Sequence, residues 1–304
     1  MRLTRAADIL VLVLLTTAPL PGQAPDDGRL LAHRVLSTGI EYAHESWSRY
    51  WEGTLARDNG NIGTLTTQHV AWVAGYGLTD RLTLLAAVPY VWTHASQGPL
   101  HGMRGVQDVT LAAKYELLAT PFTDRGTVHA IVVATAGVPA SDYTPDFLPL
   151  SIGLASRCFS GRLALNFQAH TGWFLYGSAA YTWRSNVKLD RSAYYTNGQL
   201  VLSNEVAMPD VVDYTVSAGW QRGRITLPLA LTQQRTLGGG DIRRQDMPFV
   251  SNRMDFVRVG GTVMYDVPGV RAVTLSIGAS RVVSGRNVGQ TSALTAGVHH
   301  AVHF

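Results

Sequence analysis

The stretch VVDYTVSAGWQRGRITLPLALTQQR, residues 211–235, reads with a period of two on both sides of one tight turn. Val212, Tyr214, Val216, Ala218 and Trp220 share one face, and Asp213, Thr215, Ser217 and Gly219 share the other. After Arg222-Gly223 the pattern resumes. Ile225, Leu227, Leu229 and Leu231 oppose Arg224, Thr226, Ala230 and Thr232. Successive side chains of a strand point to opposite sides, so this is a hairpin with one apolar and one polar face. An ordinary strand has about 5–6 residues. Each arm here approaches the roughly 9–11 that a tilted strand needs to cross a bilayer.

The same rhythm extends in both directions. It predicts twelve strands, at 36–49, 62–77, 80–93, 106–118, 126–138, 162–171, 173–186, 211–221, 224–235, 254–266, 271–284 and 291–304. Short links alternate with long ones, the asymmetry of an outer-membrane barrel with short periplasmic turns and long outer loops. The fold expected is all-β, a single antiparallel transmembrane β-barrel of about 12 strands, with 10 or 14 as alternatives. Residues 147–158 could form a further strand. An odd count would break the alternation, so 140–161 is read as a long outer loop or inward fold.

Composition agrees. Hydrophobic residues make up 46% and charged residues 15%, against about 25% charged in soluble domains. After residue 20 no apolar run approaches the ~18 residues of a spanning helix. The formal net charge of +4 is too small to argue for a nucleic-acid partner, and Cys158 is the only cysteine, so no internal disulfide exists. Residues 1–24 read as a signal peptide: Arg2 and Arg5, then the apolar run Ile9–Leu15, then small residues up to a cut after Ala24. Residues 25–304 are the barrel. Leu294, Ala296, Val298, His300, Val302 and Phe304 alternate to a terminal aromatic. That resembles the signal read by the barrel assembly machinery, which makes Phe304 the candidate assembly residue.

Gly77-Leu78-Thr79-Asp80-Arg81-Leu82, Val88-Pro89-Tyr90, Gly105-Val106-Gln107-Asp108-Val109 and Ala113-Lys114-Tyr115 follow one another, with Gly137-Val138-Pro139 continuing the order. This series resembles the hairpins of the family named for the MetA pathway of phenol degradation. The resemblance is carried by residues 70–140. It implies an outer-membrane barrel that transports small, aromatic or hydrophobic solutes by passive uptake, with no cofactor.

The inward face expected from parity holds Glu41, Glu45, Gln68, Lys114, Glu116, Asp213, Arg224, Gln234, Arg258, His299 and His303. Charges within a membrane protein face a cavity and one another. Lys114, Glu116, Asp213, Arg224, Arg258 and Glu41 are therefore the lumen candidates. They fit either a salt-bridged filling or a polar conduit. Leu227 and Leu229 are expected to meet lipid, and Thr226 the lumen. Tyr143 and Phe147, within the apolar segment 140–161, are the gate candidates. The dozen residues between Ala24 and the first strand are too few for a packed plug domain, so any constriction is expected from loops or inward side chains. His299 and His303 lie roughly 13 Å apart along a strand, too far to share a metal ion. Ser217, Ser276 and His170 carry no local motif for a lipid hydrolase. A structural or adhesive barrel acting through loops 187–210 and 236–253 is the remaining alternative.

Overall fold

The computed structural model describes residues 24–304 apart from 197, 244–247 and 271; the signal segment expected at 1–24 lies outside the described residues up to position 23. Twelve long strands form the wall: β1 Val35–Trp47, β2 Leu65–Thr79, β3 Leu82–Ala95, β4 Asp108–Phe122, β5 Gly126–Pro139, β6 Cys158–Ala169, β7 Trp173–Arg184, β8 Val211–Arg222, β9 Ile225–Thr236, β10 Asp255–Asp266, β11 Val273–Arg286 and β12 Ser292–His303. Each pairs antiparallel with the next, and β12 pairs with β1 from Val35↔His303 to Ser46↔Ser292, so the sheet closes and leaves no edge. Closure satisfies the backbone of every wall strand inside a bilayer.

The links follow the expected asymmetry. Phe122 reaches Gly126 through one 3-10 turn, and Arg222 reaches Ile225 through Gly223, whose φ of 59° is left-handed and suits glycine. The long links, including 140–157, 185–210 and 237–254, all lie at the other end. Short turns mark the periplasmic rim. β6 begins at Cys158, before the expected residue 162, because its alternation runs on through Phe159 and Gly161, where glycine hides the apolar phase. Residues 147–157 add no wall strand.

The outer wall is apolar. Trp173 and Trp183, at the two ends of β7, are both exposed. Their separation along the strand is roughly 33 Å, or about 25 Å of height at a ~40° tilt, the height of a lipid-facing band between aromatic girdles. Trp220 and Tyr265 continue the lower girdle, Trp220 opposite Trp173. Tyr42, Tyr90 and Trp92 belong to the upper girdle and pack ring against ring. Gln68 corrects its expected facing. It lies opposite Trp92 and accepts a hydrogen bond from the Tyr42 hydroxyl on the outer wall; Ala71, Val73 and Gly75 set the inward parity of β2, and the interface tolerates an amide.

Leu227 and Leu229 both face outward, and Thr226 is buried on the inner side. Leu227, however, stands opposite Trp220 at the lower girdle, whereas Leu229 lies deeper and is 68% exposed. Arginine at position 229 should therefore cost about 2–4 kcal/mol, and at 227 nearer 0–1. Urea titration of the two variants in lipid vesicles checks this depth dependence; equal losses would contradict it.

Phe304 follows the last paired residue. Its backbone N–H donates to Arg34 O at 3.0 Å and its ring is exposed. Deleting Phe304 should leave export intact and lower the folded amount in the outer membrane, measured by heat-modifiable gel mobility of membrane fractions. Undiminished folded protein would refute a role in assembly.

Candidate functional site

The inner wall carries small and polar groups together with an apolar patch around Leu85, Ile131 and Val133, and the chain preceding β1 fills its lower half. Residues 24–34 are too few for a packed domain, yet they are held inside the barrel. They turn back into the lumen, a correction to the expectation that only loops or wall side chains could constrict it. Asp27 shapes the tip: its carboxylate accepts the backbone N–H groups of Ala24 (2.6 Å) and Arg29 (2.9 Å). The same carboxylate meets Lys114, whose side chain is fully buried. The Lys114 ammonium donates to Asp27 Oδ1 (2.6 Å), Asp27 O (2.8 Å) and Ala24 O (3.0 Å). Those are all three of its donors, which is what makes a buried ammonium tolerable.

Below the tip the segment is fastened residue by residue. Asn166 donates to Gly28 O at 3.1 Å, and a Cβ on Gly28 would come within 2.7 Å of the Asn166 side chain. Leu30 packs on the buried cluster of Leu85, Ala112, Ile131, Val133, Ala164 and Tyr176. Leu31 is fully buried and its N–H donates to Thr83 Oγ1 (2.9 Å). His33 N–H meets Asp80 and Arg34 N–H meets Gly77 O at the periplasmic rim. A plug need not be a domain: here the barrel supplies its core.

The outer mouth is covered by loops. Segment 140–157 folds inward. Leu150 packs with Ile62 and Leu65, and its carbonyl accepts a hydrogen bond from inward-facing Thr93 (2.6 Å). Tyr143 packs with Val91 and Ile152, and its hydroxyl donates to Asp108 Oδ1 (2.5 Å) while accepting from Ala155 N–H (2.9 Å). Burial and the Asp108 carboxylate both raise its pKa, so Tyr143 stays protonated and can donate. Phe147, the second gate candidate, is 45% exposed, and its carbonyl accepts the N–H groups of Leu150 (2.6 Å) and Ser151 (2.9 Å).

The other long loops build on this one. Val187, Leu189, Tyr194, Val206, Met208 and Val250 form a buried cluster against which Leu148 and Leu154 pack. Asn287 ties further loops together: its side chain accepts Gly53 N–H and Ile242 N–H and donates to Asp241 and Arg253 O. Asp241 also receives two bonds from Arg286, which hold its carboxyl below the ordinary 3.8. A depressed folded value means the contribution is complete above pH ~4 and lost as pH falls through the lowered value. Cleavage of the 237–254 loop by pepsin should therefore stay slow at pH 4 and accelerate only below it. Loosening between pH 6 and 5 would contradict this assignment.

Above the plug tip the wall leaves a chamber of about 360 Å³. Ala24 and Pro25 form its floor, Ala71, Leu85 and Pro89 are among its apolar walls, and Glu41 and Asp108 bring carboxylates to its edge. The larger concavity of about 830 Å³ is a groove in the apolar band of the outer wall, beside Leu229, Ile277 and Gly261.

The lumen candidates do not form one network. Lys114 joins Asp27 (2.6 Å), Glu116 joins His129 (2.6 Å), Asp213 joins Arg162 (2.7 Å) and Glu41 lies 3.3 Å from His299. Arg258 stacks over Phe256 at 5.2 Å. Arg224 is exposed at the β8–β9 turn and belongs to the rim. Arg162, which also donates to Ser178, is a lumen residue the sequence reading passed over; its place between outward Gly161 and Leu163 would have found it. Ser217 and Ser276 lie on the inner wall and His170 in the β6–β7 turn. Among the described residues no His, Cys, Asp and Glu cluster could hold a metal ion.

Residues 57–296 match the family described as "Putative MetA-pathway of phenol degradation". An outer membrane channel from Pseudomonas putida F1 superposes with a TM-score of 0.72 at 16% identity, over 92% of this chain and 100% of that one. The likeness is one of fold. The translocator domain of the autotransporter NalP from Neisseria meningitidis gives a TM-score of 0.45 at 10% identity, over 92% of this chain and 91% of that domain. No curated protein matches the chain by sequence.

Proposed function

Because the chain belongs to the family of the MetA pathway of phenol degradation, we propose that its barrel is an outer-membrane channel for passive uptake of small molecules with an apolar body, shut at rest at both ends. The chamber above the plug carries this reading. At about 360 Å³ it lies at the small end of the range for ligand pockets, ~300–1,000 Å³. That suits a solute of about one ring and excludes an oligosaccharide. Its walls are apolar, and its edge offers carboxylate acceptors at Glu41 and Asp108. The reading includes export through the signal segment. Cleavage after Ala24 would leave Pro25 as the first residue, at the chamber floor, with both Asp27 contacts to Lys114 intact.

Purified protein in a planar bilayer tests the function. Discrete conductance steps that small aromatic solutes reduce, and oligosaccharides do not, are the expected result. Folded protein that stays silent at every voltage and admits no small solute into liposomes overturns the reading. It would favour a structural or adhesive barrel, for which the cap's own buried cluster is the supporting observation.

A further inference from the structure

Lys114 stands on the inner wall between Thr83 and Val133, neither of which carries charge. Its one ion-paired carboxylate among the described residues comes from Asp27 of the plug. Three residues further along, Leu30 of the same segment packs on the apolar cluster of Leu85, Ala112, Ile131, Val133, Ala164 and Tyr176. The plug thus presents an anion to a buried cation and a hydrocarbon side chain to the wall beside it. Leu85 and Ala112 belong both to that cluster and to the chamber, so the surface under Leu30 continues into the space a solute would occupy.

From this arrangement we propose that Lys114 and the surface under Leu30 form a binding site for a small organic carboxylate, occupied at rest by Asp27 and Leu30 as a tethered stand-in. The proposal rests on the channel reading and names its solute class. The physical demand is one-sided. When the plug lifts, a buried ammonium is left on an apolar wall, a state that requires an anion or bulk water. A solute with one carboxylate and one apolar body supplies both halves of what the plug withdraws. Asn166, released from Gly28 O, is left as a second free donor further down the wall. A neutral hydrocarbon satisfies only the wall, and an organic cation is repelled by Lys114. Asp213 leaves Arg162 no comparable vacancy, since the two are already paired.

Binding is read by calorimetry on detergent-purified wild type, Asp27→Asn and Lys114→Met, with benzoate, benzyl alcohol and benzylamine as probes. Asp27→Asn removes the competing anion and keeps its shape. If the plug fills the site nine-tenths of the time, this variant binds benzoate about tenfold more tightly than wild type. Lys114→Met abolishes benzoate binding, and benzyl alcohol binds weakly without responding to either change. Failure of folded Asp27→Asn to bind benzoate more tightly than wild type overturns the proposal, as does alcohol binding equal to that of benzoate. If Lys114→Met does not fold, the wild-type and Asp27→Asn pair decides alone. Calorimetry needs no transport: binding without conductance removes the channel reading and leaves the site, and conductance without benzoate binding does the reverse.

Discussion

Deleting residues 25–30 is expected to raise single-channel conductance severalfold while the barrel still folds. The deletion withdraws Asp27 from Lys114, Gly28 from Asn166 and Leu30 from its cluster. It leaves the rim contacts of His33 and Arg34, and every strand pairing from β1 to β12, in place. Breaking a buried ion pair ordinarily costs about 3–5 kcal/mol, because the remaining charge is left dry. Here the same deletion that orphans Lys114 also empties the lower lumen, so water reaches the ammonium and most of that cost does not arise. The expected signature is thus a large gain in conductance with a modest loss of thermal stability. The two are measured together, by planar-bilayer recording and by the temperature of the heat-modifiable gel shift. Unchanged conductance in a folded variant would show that the plug does not limit flow.

The wall was legible in the sequence because a barrel strand carries its evidence locally. Each residue of 211–235 declares its side by the character of its neighbours two places away, and the twelve expected strands meet the twelve observed ones within a few residues. Local evidence also explains the misses. Gly161 carries no side chain to mark a face, so β6 was begun late. Gln68 was placed by polarity alone, although an interface accepts an amide on the lipid side. Leu227 has the right face, but its depth depends on Trp220 in the neighbouring strand. The plug was illegible for a different reason. Asp27, Gly28 and Leu30 show no periodicity, and their structure is borrowed from Lys114, Asn166 and Leu85, distant in the chain. The one available sign was indirect: Lys114 faced inward between two strands that offered it no carboxylate.

Shortening 142–156 to a brief turn is expected to raise conductance and to weaken discrimination among solutes, the second large effect. The segment enters the mouth through contacts with inward-facing wall residues, Tyr143 on Asp108 and Leu150 on Thr93. It also supports the rest of the cap, since Leu148 and Leu154 pack against the cluster of Val187, Tyr194 and Val250. Its loss should expose that cluster and loosen the loops at 185–210 and 237–254 as well, so the effect on the mouth exceeds the volume removed. Asp108 would then face the chamber without its tyrosine donor and become an open carboxylate at the channel's outer end. Cation permeability should rise relative to anion permeability, a change that deletion of the plug, which removes two acidic residues and one basic one and leaves Lys114 open, should not produce. Reversal potentials across a salt gradient distinguish the two variants. If shortening changes neither conductance nor ion preference while the plug deletion opens the barrel, the restriction lies wholly at Lys114, and the cap serves only to cover the mouth.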